Sequence, residues 1–244
     1  MKAIIRREYF ALKHNLTAFI TAWFLLPMMV YLFISIPFSF YINLENGINY
    51  LNWSSIGNWI CTSSILSYII SMNLSCSYIS LDSRSKPLLY SSLSNYDHLL
   101  AIGIWSFLIG LIQLFFSLLI TLILNNSNLF FLDILLIVIY IIPLILLSSM
   151  VGMLIGFIFN DSILRMVMGV AMFLFLTFSC GLFIPLSSDL SSMFLLSPIY
   201  ISVSNIQAII NNDSSTIFAS LIVLVVSIVL FFINILVSQK TLRL

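Results

Sequence analysis

Long apolar stretches alternate along this chain with short polar punctuation. Runs free of Asp, Glu, Lys and Arg cover residues 14–44, 46–81, 98–132, 134–160, 166–188, 190–212 and 214–239. Six of them hold a continuous apolar segment of the roughly 20 residues that a helix needs to cross hydrocarbon. They predict membrane-spanning helices at Leu16–Tyr41, Gly57–Ile79, Leu99–Leu124, Leu132–Phe159, Arg165–Ile184 and Ile217–Val237. The run over 190–212 is broken by Pro198, Asn205 and Gln207, and predicts a re-entrant or interfacial segment. The fold expected is an all-α integral membrane protein, one transmembrane domain over residues 1–244.

Three segments between the spans have their own pattern. Within residues 1–15, Ile4, Ile5, Tyr9 and Leu12 recur at helical spacing, with Lys2, Arg6, Arg7 and Lys13 between them. This predicts an amphipathic helix on the inner membrane face; a plain charged anchor for the first span is the alternative. Residues 80–98 make the longest inner connection. Pro87 suits a first helical turn, and Leu88, Leu89, Leu93 and Tyr96 then share one apolar face. Asn95 and Asp97 either end this short helix or cap the next. Such a helix is a docking surface; a solvated linker is the alternative reading. Residues 185–212 carry Pro185 and Pro198, and predict two short helices folded into the outer leaflet.

Composition excludes whole classes. Hydrophobic types make up 61% and charged types 7%, against about 25% charged in soluble domains. A soluble enzyme cannot clothe its surface that way, and a disordered chain is far less apolar. Charge placement then sets the topology. With six spans, all nine basic residues fall on one side, and Glu45, Asp133, Asp189 and Asp213 fall on the other. A seventh span would strand Lys240 and Arg243 on the acidic side. The positive-inside rule therefore predicts a multi-pass protein of the inner (plasma) membrane with both termini cytoplasmic. Tyr41, Tyr50, Trp53 and Trp59 are expected as an outer aromatic belt, and Tyr9, Tyr78, Tyr90, Tyr96 and Trp105 as an inner one. The first span exceeds a signal h-region and lacks a small-residue cleavage site, so it is expected to be retained.

Catalytic chemistry is not signalled. Neither a GxxxxGK[ST] nor an HExxH motif occurs. His14 and His98 both lie at inner span ends, and Asp133 and Asp161 sit at opposite ends of their span. No span centre carries the ionisable group that ion coupling needs. Cys61, Cys76 and Cys180 form no CxxC pair. The polar groups inside spans are mild. Ser63, Ser67, Ser71 and Ser75 recur at i+4, with Asn73 beside them; this stripe suits helix packing or a substrate path. Gln113 in the third span and the Gly152/Gly156 pair in the fourth read as close-packing contacts. A chain with spans, docking surfaces and no motor takes its energy from a partner or conducts passively.

Two stretches carry a family resemblance. The inner loop DSRSKPLLYSSLSNYDHLLAIGIW places Asp82, Arg84, Leu88, Leu89, Ser91 and Leu93 in an acidic, then leucine-rich outline. Ser179-Cys180-Gly181-Leu182-Phe183-Ile184-Pro185, followed by Leu196-Ser197-Pro198-Ile199-Tyr200, is similar to an S-G-x-F-x-P stretch followed by a P-x-x-W-like turn and then N-P-x-x-Y, with the middle turn altered, Ser197 in place of Asn and Tyr200 one position nearer the proline. With the basic helix and six spans, the layout resembles a membrane subunit of a type-2 ABC exporter. The loop departs from that family in lacking its G-T-L-E core and its later T/S-P.

The resemblance implies a half-transporter. Two permease subunits, a homodimer by expectation, would pair with two separate ATPase subunits, which alone carry ATP and Mg; this chain would hold no cofactor and no metal and would be no enzyme itself. Arg84, Lys86, Pro87, Leu88, Leu89, Leu93, Tyr96 and Asp97 would couple to the ATPase, together with the interface helix bearing Lys2, Arg6, Arg7, Tyr9 and Lys13. Gly181, Phe183, Pro185, Pro198 and Tyr200 would shape an outer gate. A drug or antibiotic, a lipid or a lipid-linked glycan are the expected cargoes, with membrane lipid as a partner and no nucleic acid. A haem-export-like subunit and a non-transporting scaffold or assembly factor are the alternatives.

Overall fold

The computed structural model describes residues 2–42, 50–79, 94–125, 131–159, 161–179, 181–185, 197–210 and 218–241. Among them every regular element is helical. That is what lipid demands of an open chain, since a helix satisfies its own backbone polar groups. We number the helices α1 (Lys2–His14), α2 (Leu16–Val30, continued by a π-helical turn Tyr31–Ser35 and Ile36–Ser39), α3 (Tyr50–Ile79) and α4 (Asn95–Asn125). Then follow α5 (Phe131–Ile158), α6 (Ser162–Leu174, continued by a π-helical turn Phe175–Ser179), α7 (Pro198–Ile210) and α8 (Phe218–Thr241).

Among the described residues, five helical stretches are long and apolar enough to cross a membrane: Leu16–Ser39, Tyr50–Tyr78, Asn95–Leu124, Ile134–Ile158 and Ser220–Lys240. They fall on five of the six predicted spans. The fifth prediction, Arg165–Ile184, is met by a shorter apolar helix, Ser162–Phe178. Asp161 caps it, its Oδ1 accepting from the Ile163 amide at 3.0 Å. Its two ends contact α3 far apart. The Arg165 guanidinium donates to Cys76 Sγ, while the carbonyl of Leu182, just beyond the π turn, lies against Gly57. Gly57 and Cys76 are separated by about 28 Å of helix at 1.5 Å per residue.

α3 is the central helix. It packs along α5 and α4, and α2 and α6 lean on it from the remaining side. α8 lies on α5, and α7 fills the outer angle between α5 and α8. The serine stripe faces α5: Ser63, Ser67, Ser71 and Ser75 are fully buried. Opposite them stand Gly152 and Gly156, where an added Cβ would collide with the carbonyls of Tyr68 and Met72. Small residues on both sides let these backbones approach closely. Cross-helix bonds add to it: Ser67 Oγ donates to the Ile145 carbonyl (3.3 Å), Ser106 and Ser149 share a hydroxyl bond (2.7 Å), and Asn234 Nδ2 donates to the Met150 carbonyl (3.0 Å).

Several expected details differ. α3 starts at Tyr50 rather than Gly57, because Ser54 and Ser55, which fall before the predicted span, are buried in protein rather than set against lipid. The outer belt is largely not a belt: Tyr50, Trp53 and Trp59 are buried, and Trp59 Nε1 donates to Thr121 Oγ1 at 2.5 Å. At the inner side Tyr9 and Tyr96 are exposed, whereas Tyr78 is buried. Tyr96, Asp97 and His98 belong to the first turn of α4, not to a separate loop helix. Ser94 caps that turn: its Oγ accepts from the Asp97 amide (3.2 Å) and donates to Asp97 Oδ2 (2.8 Å). The rest of the predicted coupling helix lies outside the described residues. In α1, Ile4 and Leu12 are buried and α1 packs on α4, while Tyr9 and Phe10 are exposed. The predicted single apolar face is thus two faces, one turned to the bundle and one away from it.

Candidate functional site

A groove of about 530 Å³ opens between α2, α3 and α6. Helical periodicity builds its walls. α3 contributes Ile65, Ile69 and Asn73 at i, i+4 and i+8. These lie on the side of α3 opposite the serine stripe, since a two-residue offset turns the helix by about 200°. α6 contributes Ser162, Arg165, Met166, Gly169, Val170 and Phe173, again one helical stripe, and α2 contributes Leu26.

The groove is chemically polarised. Near Leu26, Ile65 and Phe173 its walls are apolar, and at the other end Asn73, Ser162 and Arg165 meet. Among the described lining residues Arg165 carries the one charge. A cation in the second turn of a helix opposes the helix dipole, so its position is not explained by helix stability. The Cys76 thiol, one turn beyond Asn73, receives the guanidinium. A guanidinium carries five N–H donors in a planar fork, and the Cys76 thiol takes up one of them. Arg165 is the residue that sequence reasoning missed. It enters there only as a topology marker, although the 162/165/166/169/170/173 stripe is legible in the sequence.

The expected path residues are divided by the fold. Asn73 lines the groove and is exposed, whereas the four serines lie buried against α5. Gln113 faces neither: it is buried and donates to the Trp23 carbonyl at 3.3 Å.

The expected outer-gate residues are only partly assembled. Gly181 has φ 69°, the left-handed region that glycine enters without cost, and so turns the chain after the π turn. Gly181, Leu182 and Phe183 are buried. The Phe183 carbonyl accepts from the Tyr50 hydroxyl (2.7 Å) and the Gly181 carbonyl from Gln207 Nε2 (3.2 Å). A Cβ on Gly57 would stand 2.6 Å from the Leu182 oxygen. Tyr200 is half-buried in α7 and Pro198 opens that helix, but Pro185 is exposed. Tyr50, Gly57 and Gln207 are not among the residues that the sequence assigns to the gate; only proximity in the fold places them there.

At the opposite end α1 meets the C-terminal end of α3 and the N-terminal end of α4. Tyr78 stacks on His98 (4.9 Å between ring centroids) and donates to Asn95 Oδ1 (3.0 Å). Arg7 pairs with Glu8 beside them, and Ile4 closes the contact. Arg6 lies over the Phe10 ring, and Lys13 is exposed. Of the expected coupling residues, only Tyr96 and Asp97 are described here; Arg84, Lys86, Pro87, Leu88, Leu89 and Leu93 lie outside the described residues, as does the side chain of Lys2.

The family model described as ABC-2 family transporter protein matches residues 54–237. The chain belongs to the ABC-2 transporter family. It is thus a multi-pass membrane permease subunit of an ABC transporter, and membership implies association with an ABC ATPase. No curated protein and no solved structure matches this chain. In the permease the matched region takes in the groove's α3 and α6 walls, the outer turn at Gly181 and most of the central packing; α1 and α2 lie before it.

Proposed function

We propose that this permease is the membrane half of an ATP-driven exporter, and that two copies face each other across α2 and α6. The observation that carries the reading is the groove. A largely apolar groove of this volume on an open face calls for protein or cargo in front of it. The flanking surfaces suit a second copy: Phe24, Met28 and Phe33 on α2 and Met166, Val167 and Val170 on α6 are large, apolar and exposed. Six crossings are supported by the two contacts of the α6 segment with α3, about 28 Å apart and so close to the thickness of the hydrocarbon core. Six crossings also put every basic residue on one side, where an ATPase docks.

In this reading α1 and the 80–93 loop, with Arg84, Lys86 and Pro87, receive the movement of the ATPase pair. α3 and α4 carry it outward from the Tyr78–His98 contact. Gly181, Phe183, Pro185, Pro198 and Tyr200 shape the outer exit. ATP and Mg are bound by the ATPase alone.

The test is affinity purification from the native membrane in mild detergent, with mass spectrometry and an ATP-hydrolysis assay of the eluate. Recovery of a co-purifying ATPase with hydrolytic activity is expected. Reversing Arg84 and Lys86 to Glu should release that ATPase while the permease still inserts. A clean permease without any nucleotide-binding partner would move the reading to a scaffold or assembly factor.

A further inference from the structure

We propose that α6 is a movable wall: its middle closes onto α3, bending at its π-helical turn, and so collapses the groove between α2, α3 and α6. Two contacts hold the α6 segment to α3, Arg165 to Cys76 at one end and the Leu182 carbonyl against Gly57 at the other. Between them the docking is unfinished. No residue of Ser162–Leu174 is buried, although Met168, Gly169, Met172 and Phe173 are half-buried on the bundle side. A helix with so little burial sits at the low end of local stability. The opposite wall is fixed by contrast. Side-chain amides of Asn58 and Gln113 hold the α2 carbonyls of Pro27 (2.9 Å) and Trp23 (3.3 Å).

Gly169 marks where the wall lands. Glycine is the poorest helix former after proline, and here it has no packing to account for it, since a Cβ built on it meets no atom within 4 Å. The two end contacts set α6 antiparallel to α3, so about one turn on from the Arg165–Cys76 contact Gly169 stands opposite Met72. The other side of this same stretch of α3 is covered by Gly152 and Gly156, where a Cβ would collide with the carbonyls of Tyr68 and Met72. Gly169 lets α6 approach as closely from the groove side. The bend is supplied by Phe175–Ser179, because helices kink at π-helical turns. The Thr177 hydroxyl braces this turn, donating to the Phe173 carbonyl (2.8 Å) with the Leu174 carbonyl at 3.1 Å. Those carbonyls change their backbone partners when a π turn becomes α-helical. The movement rests on the export reading only for its purpose, which is to empty the groove.

Spin labels at Val167→Cys and Phe115→Cys, both exposed positions, measure the separation of α6 and α4, which flank α3, by double electron–electron resonance. The full-length permease, with Cys180→Ser, is mixed with an excess of unlabelled permease and placed in lipid nanodiscs, so that only pairs within one copy are read. Two distances are expected, the shorter one populated to at least about one-tenth. Gly169→Leu, which meets open space in the open form, should remove the shorter distance, and Gly169→Ala should lower its share. Thr177→Val should move the populations the other way, about fivefold toward the closed form, the scale of one buried hydrogen bond. A single distance in the parent protein, a shorter distance that survives Gly169→Leu, or populations indifferent to Thr177→Val would each overturn the movable wall. The assay needs no ATPase, so the two readings fail separately. Two distances that respond to Gly169→Leu in a permease without a co-purifying ATPase remove the export reading alone. An active ATPase complex with a rigid α6 removes the movement alone.

Discussion

The Gln113 side chain donates to the carbonyl of Trp23, 3.3 Å away, and Trp23 is the residue whose helical partner is missing. Four residues on stands Pro27, which has no N–H to give. The Pro27 carbonyl receives Asn58 Nδ2 at 2.9 Å. Side-chain amides from α4 and α3 thus take up carbonyls beside the break in α2, directly before its π-helical turn. A buried interhelical bond of this kind averages about 0.6 kcal/mol and reaches about 1.7. Gln113→Leu, which keeps the volume, should destabilise the permease within that range. In a Pro27→Ala background the backbone N–H returns and the same substitution should cost close to nothing. A denaturation cycle of the four proteins measures it; strict additivity would show that Gln113 does not serve the proline break.

A second prediction contrasts two glycines. Gly152→Ala drives a methyl into the Tyr68 carbonyl and Ser71 Oγ, and neither backbone can yield without parting α3 from α5. A loss of about 1–3 kcal/mol is expected, as for other overpacked cores. Gly169→Ala meets open space and should be neutral or stabilising by up to about 1 kcal/mol, because alanine is the better helix former. Thermal melts of the solubilised proteins should give opposite signs. Equal losses at both positions would mean that the tight α3–α5 seam is not what the glycine supports.

Much of this architecture is legible in the sequence, for a plain reason. A charge-free apolar run of span length has hardly any other use, and so Leu16–Ser39, Asn95–Leu124 and Ile134–Ile158 coincide with predicted spans within a few residues. What fails is whatever depends on who the neighbour is. Ser54 and Ser55 look like a loop until burial against protein supplies them a reason to be helical. Trp59 looks like a belt residue until Thr121, 62 positions away, takes its indole N–H. The serine stripe and Asn73 sit side by side in sequence, yet helical rotation sends them to opposite sides of α3. Arg165 becomes a site residue only through Cys76, 89 positions away.

The outer turn gives a third prediction. The Tyr50 hydroxyl reaches the Phe183 carbonyl at 2.7 Å across 133 residues of sequence, and so latches the start of α3 to the segment after α6. Tyr50→Phe removes one buried bond, worth about 1 kcal/mol, and little shape. Amide exchange over residues 181–184 should accelerate severalfold while the span centres stay protected. Export should fall with it, and also in Pro185→Ala and Pro198→Ala, with assembly intact. Unchanged exchange in Tyr50→Phe would show that the outer turn is held by its packing alone.

The number of crossings decides where the chain's end lies, and single cysteines can report it. If the α6 segment crosses, Asn46 and Ser214 face outward, and Ser85 and Leu242 face the cytoplasm. If it turns back instead, Ser214 moves inside and Leu242 outside, and Lys240 and Arg243 lose the company of the other seven bases. Cys61 and Cys76 are buried, which keeps their contribution to the background low, and replacing Cys180 with serine removes the remaining one. Membrane-impermeant maleimide on intact cells should therefore label cysteines at 46 and 214 and spare those at 85 and 242. The positive-inside rule predicts this pattern, and the proposed crossing of the α6 segment, between its contacts near Cys76 and Gly57, is consistent with it. Labelling at 242 from outside would break both arguments at once and leave α6 as a helix that enters the membrane and returns.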